Sequence, residues 1–220
     1  AMPRRLYRVV SPVPPETPRG NIERRNLPHM EELEKRIQKD AAIGEGDIVR
    51  VDMFLNHCMD MELLQSAGKA LAKRFQGEKV TKVLTVEASG IAMACFTALT
   101  LGVPAVYAKK FQTGYIDPDV YTAEVHSFSL EKSYTMRVSR RYLSEDDRVL
   151  LIDDILSSGQ AMLGLLEIVS KAGAEPAGVG VAIEKATRDG GQVLRRMGLR
   201  VEALATIQRI EDGHIVLAED

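Results

Sequence analysis

Two adjacent carboxylates, Asp153 and Asp154, stand between an apolar run and a turn of small polar residues, in the stretch VLLIDDILSSGQA from Val149 to Ala161. Val149 to Ile152 has the unbroken apolar character of a strand buried on both faces of a parallel sheet. Ser157, Ser158, Gly159 and Gln160 are small or polar, and from Ala161 onward Met162, Leu165, Leu166, Ile168 and Val169 recur at helical spacing. The order is strand, acidic pair, polar turn, helix. A turn that feeds a helix N-terminus presents free backbone N–H groups at the positive end of the helix dipole. The two serine hydroxyls add donors, and Gly159 lets the backbone come close. That arrangement cradles a phosphate. The carboxylates would repel it; they suit the hydroxyls of a sugar beside it, or a metal. The combined demand is for a sugar phosphate. One aspartate at a strand end is commonplace, and only the whole ordered stretch points to a ligand.

The elements needed to position this stretch are those of an α/β domain. Met30 to Asp40 places Met30, Leu33 and Ile37 on one helical face, and Gly44 and Gly46 break it. Ile48 to Leu55 alternates in part and meets Asn56-His57. Met59 to Phe75 is an amphipathic helix with Met61, Leu64, Ala67, Leu71 and Phe75 toward the core. Val80 to Val86 is a strand, Glu87-Ala88-Ser89-Gly90 a second polar turn, Ile91 to Leu101 a helix closed by Gly102, and Pro104 to Ala108 the next strand. Strand–turn–helix units with strand returns imply a parallel sheet with right-handed crossovers. Tyr121 to Phe128 and Tyr134 to Val138 read as a hairpin inserted between core strands, preceded by a loop over Phe111 to Asp119. After the acidic stretch come a strand over Ala177 to Ile183 ending at Glu184-Lys185, a turn at Thr187 to Gly191, a short helix and a last strand over Val201 to Ile207. A short hairpin turns at Asp212-Gly213.

The chain has 220 residues and a net charge of −2, which suits one domain with a sizeable core and gives no field that would draw it to nucleic acid or a membrane. No apolar run is long enough to span a bilayer. Cys58 and Cys95 have no metal or disulfide spacing, so a reducing cytoplasm is expected, with Cys95 buried in its apolar run. Residues 1–29 differ from the rest. Pro3, Pro12, Pro14, Pro15, Pro18 and Pro28 interleave with Arg4, Arg5, Arg8, Arg19, Arg24 and Arg25, without periodicity. They read as an extension without fixed structure, not native to the fold, ahead of a domain spanning 30–220.

Quoted together, VDMFLNH, VEASGIA, VYAKK, VLLIDDILSSGQA and VAIEK resemble the type I phosphoribosyltransferase family, and within it the bacterial branch that acts on xanthine. The resemblance runs from Met30 to about Asp212. It implies a Rossmann-like α/β fold: a mostly parallel central sheet flanked by helices, a small hood, and an inserted β-hairpin with a flexible loop. It implies transfer of phosphoribosyl from phosphoribosyl pyrophosphate (PRPP) to a purine, with Mg²⁺ held through diphosphate and ribose and no direct protein metal ligand. By the same resemblance Asp153 and Asp154 hold the ribose hydroxyls beside the developing cation. Ser157, Ser158, Gly159, Gln160 and Ala161 hold the 5′-phosphate. Glu87, Ala88, Ser89 and Gly90, with Lys109 and Lys110, hold the diphosphate. Val49, Asn56 and Lys185 form the base pocket, the lysine donating to a base carbonyl. The sequence departs from the family at Ser157-Ser158, where relatives carry Ala-Asn; backbone contacts to phosphate are unaffected. A homodimer in the cytoplasm, without nucleic acid or membrane partners, is implied too.

Two rivals remain. Another purine phosphoribosyltransferase, for adenine or hypoxanthine–guanine, would share every feature except the base pocket, as would one for orotate. A PRPP-binding regulator would need a DNA-binding module, which the proline-rich start does not resemble. The ordered set, with each motif at the C-terminal end of a strand or in a neighbouring loop, is the edge at which open α/β sheets bind ligands.

Overall fold

The computed structural model describes residues 29–44, 48–110, 118–127 and 132–219. The extension, apart from His29, and most of the expected loop over Phe111 to Asp119 lie outside the described residues. So do the apex of the hairpin and Gly46.

Six strands form one sheet in the order β10-β9-β8-β7-β3-β4. These are β3 (Lys82–Val86), β4 (Ala105–Ala108), β7 (Arg148–Leu156), β8 (Glu175–Lys185), β9 (Val201–Glu211) and β10 (His214–Leu217). All pair in parallel except β10, which returns antiparallel on β9 through the Asp212-Gly213 turn. Helices α1 (Glu31–Asp40), α2 (Met61–Arg74) and α3 (Ile91–Leu101) supply one apolar layer; α4 (Gln160–Lys171) and α5 (Gly190–Arg196) flank the other side. A two-stranded hood, β1 (Ala42–Gly44) and β2 (Ile48–Arg50), joins the first layer through Val49. The inserted hairpin, β5 (Val120–Ser127) and β6 (Lys132–Ser139), packs against α4 in the second.

The sheet separates two cores. Leu150 and Ile152 of β7 belong to the layer with α1 to α3 and the hood, whereas Val149 and Leu151 belong to the layer with α4 and the hairpin. Period-two alternation along a strand produces that division. Burying a leucine- or isoleucine-sized side chain contributes about 1.5–3 kcal/mol, and β7 supplies four such residues at or near zero exposure. It is therefore the strand on which both cores depend.

Three expectations are corrected, besides Met61, which opens α2 exposed rather than toward the core. First, the strand does not end before the acids. Strand β7 continues through Asp153 and Asp154 to Leu156, and pairs with β8 as far as Leu156↔Glu184. Ile155 and Leu156 still fit a sheet interior, so pairing outlasts the polar interruption. Second, Ile48 to Leu55 is not one strand. β2 stops at Arg50, and Asp52–Asn56 forms a π-helical turn. Phe54 and Leu55 are both buried, and the Leu55 N–H turns back to Val51 O at 2.9 Å, which closes a helical turn instead of a ladder. Third, Cys95 is exposed, as is Cys58. α3 buries Met93, Ala94, Thr97 and Ala98, a face that leaves Cys95 outward.

Candidate active site

Strand register brings the motifs to one edge. Val86 pairs with Ala108, so Glu87 and Lys109 leave β3 and β4 side by side. Leu84 pairs with Leu151, which sets Asp153 level with the end of β3. Leu156 pairs with Glu184, so Ser157 and Lys185 leave β7 and β8 together. The C-terminal ends of four adjacent parallel strands thus carry the lysine pair, the polar turn, the acids with their cradle, and the third lysine.

The acids differ from one another. The backbone N–H of Asp154 donates to Asp153 Oδ1 at 3.0 Å. On the hood side, Asn56 Nδ2 donates to Asp154 Oδ2 at 2.7 Å and Ser89 Oγ donates to Asp154 Oδ1 at 3.0 Å. Asp154 is thereby tied to the π-helical turn and to the polar turn after β3. Asp153 is buried beside it. Burial, followed by the charge of Asp154, pushes its carboxyl well above the ordinary aspartate range, and the Lys110 ammonium pulls weakly the other way. Burial, and then the nearby Asp153, also raises the Tyr134 phenol.

The turn after β3 contains a cis peptide between Glu87 and Ala88. The Glu87 N–H donates to Ala108 O at 3.1 Å. The Glu87 carboxylate accepts from the backbone N–H of Lys110. Glu87 therefore ties β3 to β4, and the N–H groups of Ala88, Ser89 and Gly90 are the ones left for an anion. Gly90 is a glycine by necessity: a Cβ there would lie 2.2 Å from Thr85 Oγ1 and 2.7 Å from Asp153 Oδ1. Thr85 is buried, and its hydroxyl has no hydrogen-bond partner among the described residues.

The two lysines diverge. Lys109 exchanges backbone hydrogen bonds with Arg137 at 2.9 Å in both directions, and its Nζ lies 5.9 Å from the half-exposed Tyr107 ring. Lys110 Nζ lies 5.0 Å from the Tyr134 ring, and its charge acts on Asp153.

The cradle follows β7. Gly159 caps α4 in the left-handed conformation, at φ +77°, and no side chain caps the helix. No acidic residue lies in the first turn, so its positive end is not neutralised. The first-turn N–H groups, those of Gln160 and Ala161 included, have no partner within the helix. Behind the turn lies Gly190. Its N–H donates to Ser157 O at 3.1 Å, and a Cβ on it would come within 2.3 Å of that oxygen. Gly159 and Gly190 are in backbone contact, so the start of α5 forms the back of the cradle.

Next to the cradle, Lys185 ends β8 with 7% of its surface exposed. Its neighbour Glu184 is held by Arg195 through two 2.6 Å hydrogen bonds. That fork clamps α5 to the strand end. Val49 is buried, with its side chain in the hood-side core.

Asn56, Ser89, Gly90, Lys110, Asp153 and Asp154 thus form one cluster. Register sets Ser157 to Ala161 and Lys185 beside it. Sequence reading missed Gly190, Tyr134, Thr85 and Arg195. The Gly190-Gly191 pair was a usable signal for the first. Nothing in the hairpin's alternating pattern singles out Tyr134.

Among the described residues, no cluster of three or more His, Cys, Asp or Glu could hold a metal ion. The donor set present, two carboxylates without a third ligand, fits an ion carried by substrate oxygens.

Residues 59–192 match the family model described as "Phosphoribosyl transferase domain". The chain is 45% identical over 190 residues to a protein named xanthine phosphoribosyltransferase from Bacillus cytotoxicus, covering 86% of this chain and 96% of that one. It is 46% identical over 190 residues to the protein of the same name from Ruminiclostridium cellulolyticum, covering 86% and 100%. Among solved structures, the adenine phosphoribosyltransferase of Rhodothermus marinus superposes with a TM-score of 0.66 at 23% identity, over 80% of this chain and 97% of that one. At that identity the likeness speaks for the fold alone.

Proposed function

The chain belongs to the phosphoribosyltransferase family, and from that premise we propose that it transfers the phosphoribosyl group of PRPP to xanthine, giving xanthosine 5′-monophosphate and diphosphate. The observation that carries the reading is the convergence at one sheet edge of an anion cradle, a pinned carboxylate and a second anion-binding turn. A ligand with a phosphate, a ribose and a diphosphate matches that order. Relatives about 45% identical and named for xanthine support the choice of base.

The reaction breaks the C1′–O bond to diphosphate, whose oxygen keeps the electron pair. A ring nitrogen of the base forms the new bond to C1′, and its proton is lost to solvent. Positive charge develops on the ribose ring, so fixed negative charge beneath it and fixed positive charge on the leaving group both favour the transition state. Asp154, held by two donors, accepts from a ribose hydroxyl and keeps the sugar in place. The N–H groups of Ala88 to Gly90 and the ammonium of Lys110 bind the diphosphate. Lys110 suits this better than Lys109 because its charge already acts on Asp153. Gln160 and Ala161 bind the 5′-phosphate at the end of α4, far from the bond that breaks. Mg²⁺ bound to diphosphate and ribose oxygens would neutralise leaving-group charge.

Xanthine presents carbonyl acceptors, and lysine is donor-only. Lys185 at the end of β8 therefore favours xanthine over adenine, whose amino group would face a cation. Two further points are proposals of the same kind. A homodimer is supported by exposed Ile48, Met53, Met59 and Met61, apolar residues clustered around the hood; light scattering should give twice the chain mass, and a monomer would contradict it. A cytoplasmic location is supported by the two free, exposed cysteines, which suit a reducing compartment; recovery of the native protein in a non-cytoplasmic fraction would contradict it. The enzymatic test is turnover with PRPP and each of xanthine, guanine, hypoxanthine and adenine. Xanthine should give the highest kcat/KM, and preference for another base would overturn the assignment.

A further inference from the structure

We infer that Asn56 is a positioning residue for Asp154, so that the loop expected to read the base also sets the carboxylate expected to hold the ribose. The inference rests on the phosphoribosyl-transfer reading above.

Asn56 and Asp154 are 98 positions apart, and their contact is 2.7 Å. An ionised carboxylate can only accept, so the Asn56 amide must turn its Nδ2 toward Asp154. That fixes the amide's orientation without reference to any ligand. Ser89 holds the other carboxylate oxygen at 3.0 Å. With one donor on each oxygen, the carboxylate plane cannot rotate without losing a hydrogen bond. Each oxygen has two acceptor sites, so both can still receive a hydroxyl.

The anchorage of Asn56 is firm on one side. Phe54 and Leu55 precede it, both essentially fully buried, and the Asp60 N–H reaches back to Phe54 O at 2.9 Å. The π-helical turn is thus fixed to the hood-side core, and the amide transmits that position to β7. Removing the amide takes the donor from Asp154 Oδ2, leaves Ser89 on Oδ1, and loosens the terminal torsion. Ribose binding would then have to order the carboxylate as well.

A residue that only reads the base has no effect on PRPP when no base is present. A residue that positions Asp154 does. The test is calorimetric titration of the full chain with PRPP and Mg²⁺, without base. Asn56→Ala should weaken PRPP binding by roughly 10- to 200-fold, the range for loss of a hydrogen bond to a charged group. Asn56→Asp keeps the shape and loses the donor, so it should weaken binding at least as much. In an Asp154→Ala background, Asn56→Ala should cause no further loss beyond about 2-fold, because the group it positions is gone. Wild-type PRPP affinity in Asn56→Asp, or equal losses from Asn56→Ala in both backgrounds, would overturn the inference. If the unmodified chain fails to bind PRPP at all, the phosphoribosyl-transfer reading itself falls.

Discussion

The backbone N–H of Asp154 donates to Asp153 Oδ1 at 3.0 Å, yet the two carboxylates answer to different neighbours. Asp154 continues the register of Leu150 and Ile152 and receives donors from the hood side, Asn56 and Ser89. Asp153 continues the register of Val149 and Leu151 and lies in the field of Lys110 on the hairpin side. Adjacent acids are therefore not a redundant pair.

Asp154→Asn and Asp153→Asn should each lower kcat/KM by roughly 10- to 1000-fold, as expected when one charged contact to ribose is lost. Steady-state kinetics with PRPP varied at saturating xanthine checks this. Near-normal turnover in the double substitution would remove the ribose-binding role.

Asp153 also has a consequence for stability. Its carboxyl lies well above the ordinary range, chiefly through burial. A carboxyl whose native pKa exceeds its unfolded value binds more protons in the native state. Ionisation in the fold is then unfavourable, and stability falls as pH rises from the unfolded value, about 4, toward the native one. Asp153→Asn abolishes that dependence while keeping an acceptor for the Asp154 N–H. The Tm of the variant relative to the wild type should rise as the pH increases above about 4. Thermal denaturation across that range decides it; a difference in Tm that stays flat or falls would contradict the buried-charge penalty.

Gly190 should be as sensitive as the cradle residues themselves. A Cβ would overlap Ser157 O and the Gly159 N–H, both backbone atoms that cannot step aside alone. Overpacking of this kind costs about 1–3 kcal/mol, so Gly190→Ala should raise the KM for PRPP by about 5- to 100-fold. Unchanged PRPP kinetics would show that the back wall does not shape the cradle.

How much of this was legible in the sequence depended on how local the determinant was. The helix over Ile91 to Leu101 and its Gly102 stop were readable residue by residue, because periodicity and a left-handed cap are local signals. The order of acids, polar turn and helix was readable for the same reason. The end of β7 was not: Asp153 and Asp154 look like a strand terminus until pairing with Val181 and Ile183 of β8 is known. Nor was the π-helical turn at Asp52–Asn56, since burial of both Phe54 and Leu55 follows from tertiary packing. The cluster around Asp154 joins residues 65 and 98 positions away. Motif order could place Ser89 and Asn56 near the site, but not on that carboxylate. Gly190 acts by lacking a side chain, and only the packed structure reveals what a Cβ there would strike.

Base selection should depend on Lys185. Lys185→Ala removes a charge-assisted hydrogen bond of about 1.5–3 kcal/mol, or roughly 10- to 200-fold in kcat/KM for xanthine. Discrimination against adenine should shrink at the same time, since the repulsive cation is gone. Paired kinetics with the two bases measures both effects. Unchanged xanthine turnover would remove Lys185 as the base reader.

The most direct measurement is product analysis with purified chain, PRPP, Mg²⁺ and xanthine. Xanthosine 5′-monophosphate and diphosphate should appear in equal amounts, and neither should form when PRPP or xanthine is omitted. Diphosphate release without nucleotide, or no nucleotide from xanthine while another purine is converted, would contradict phosphoribosyl transfer to xanthine.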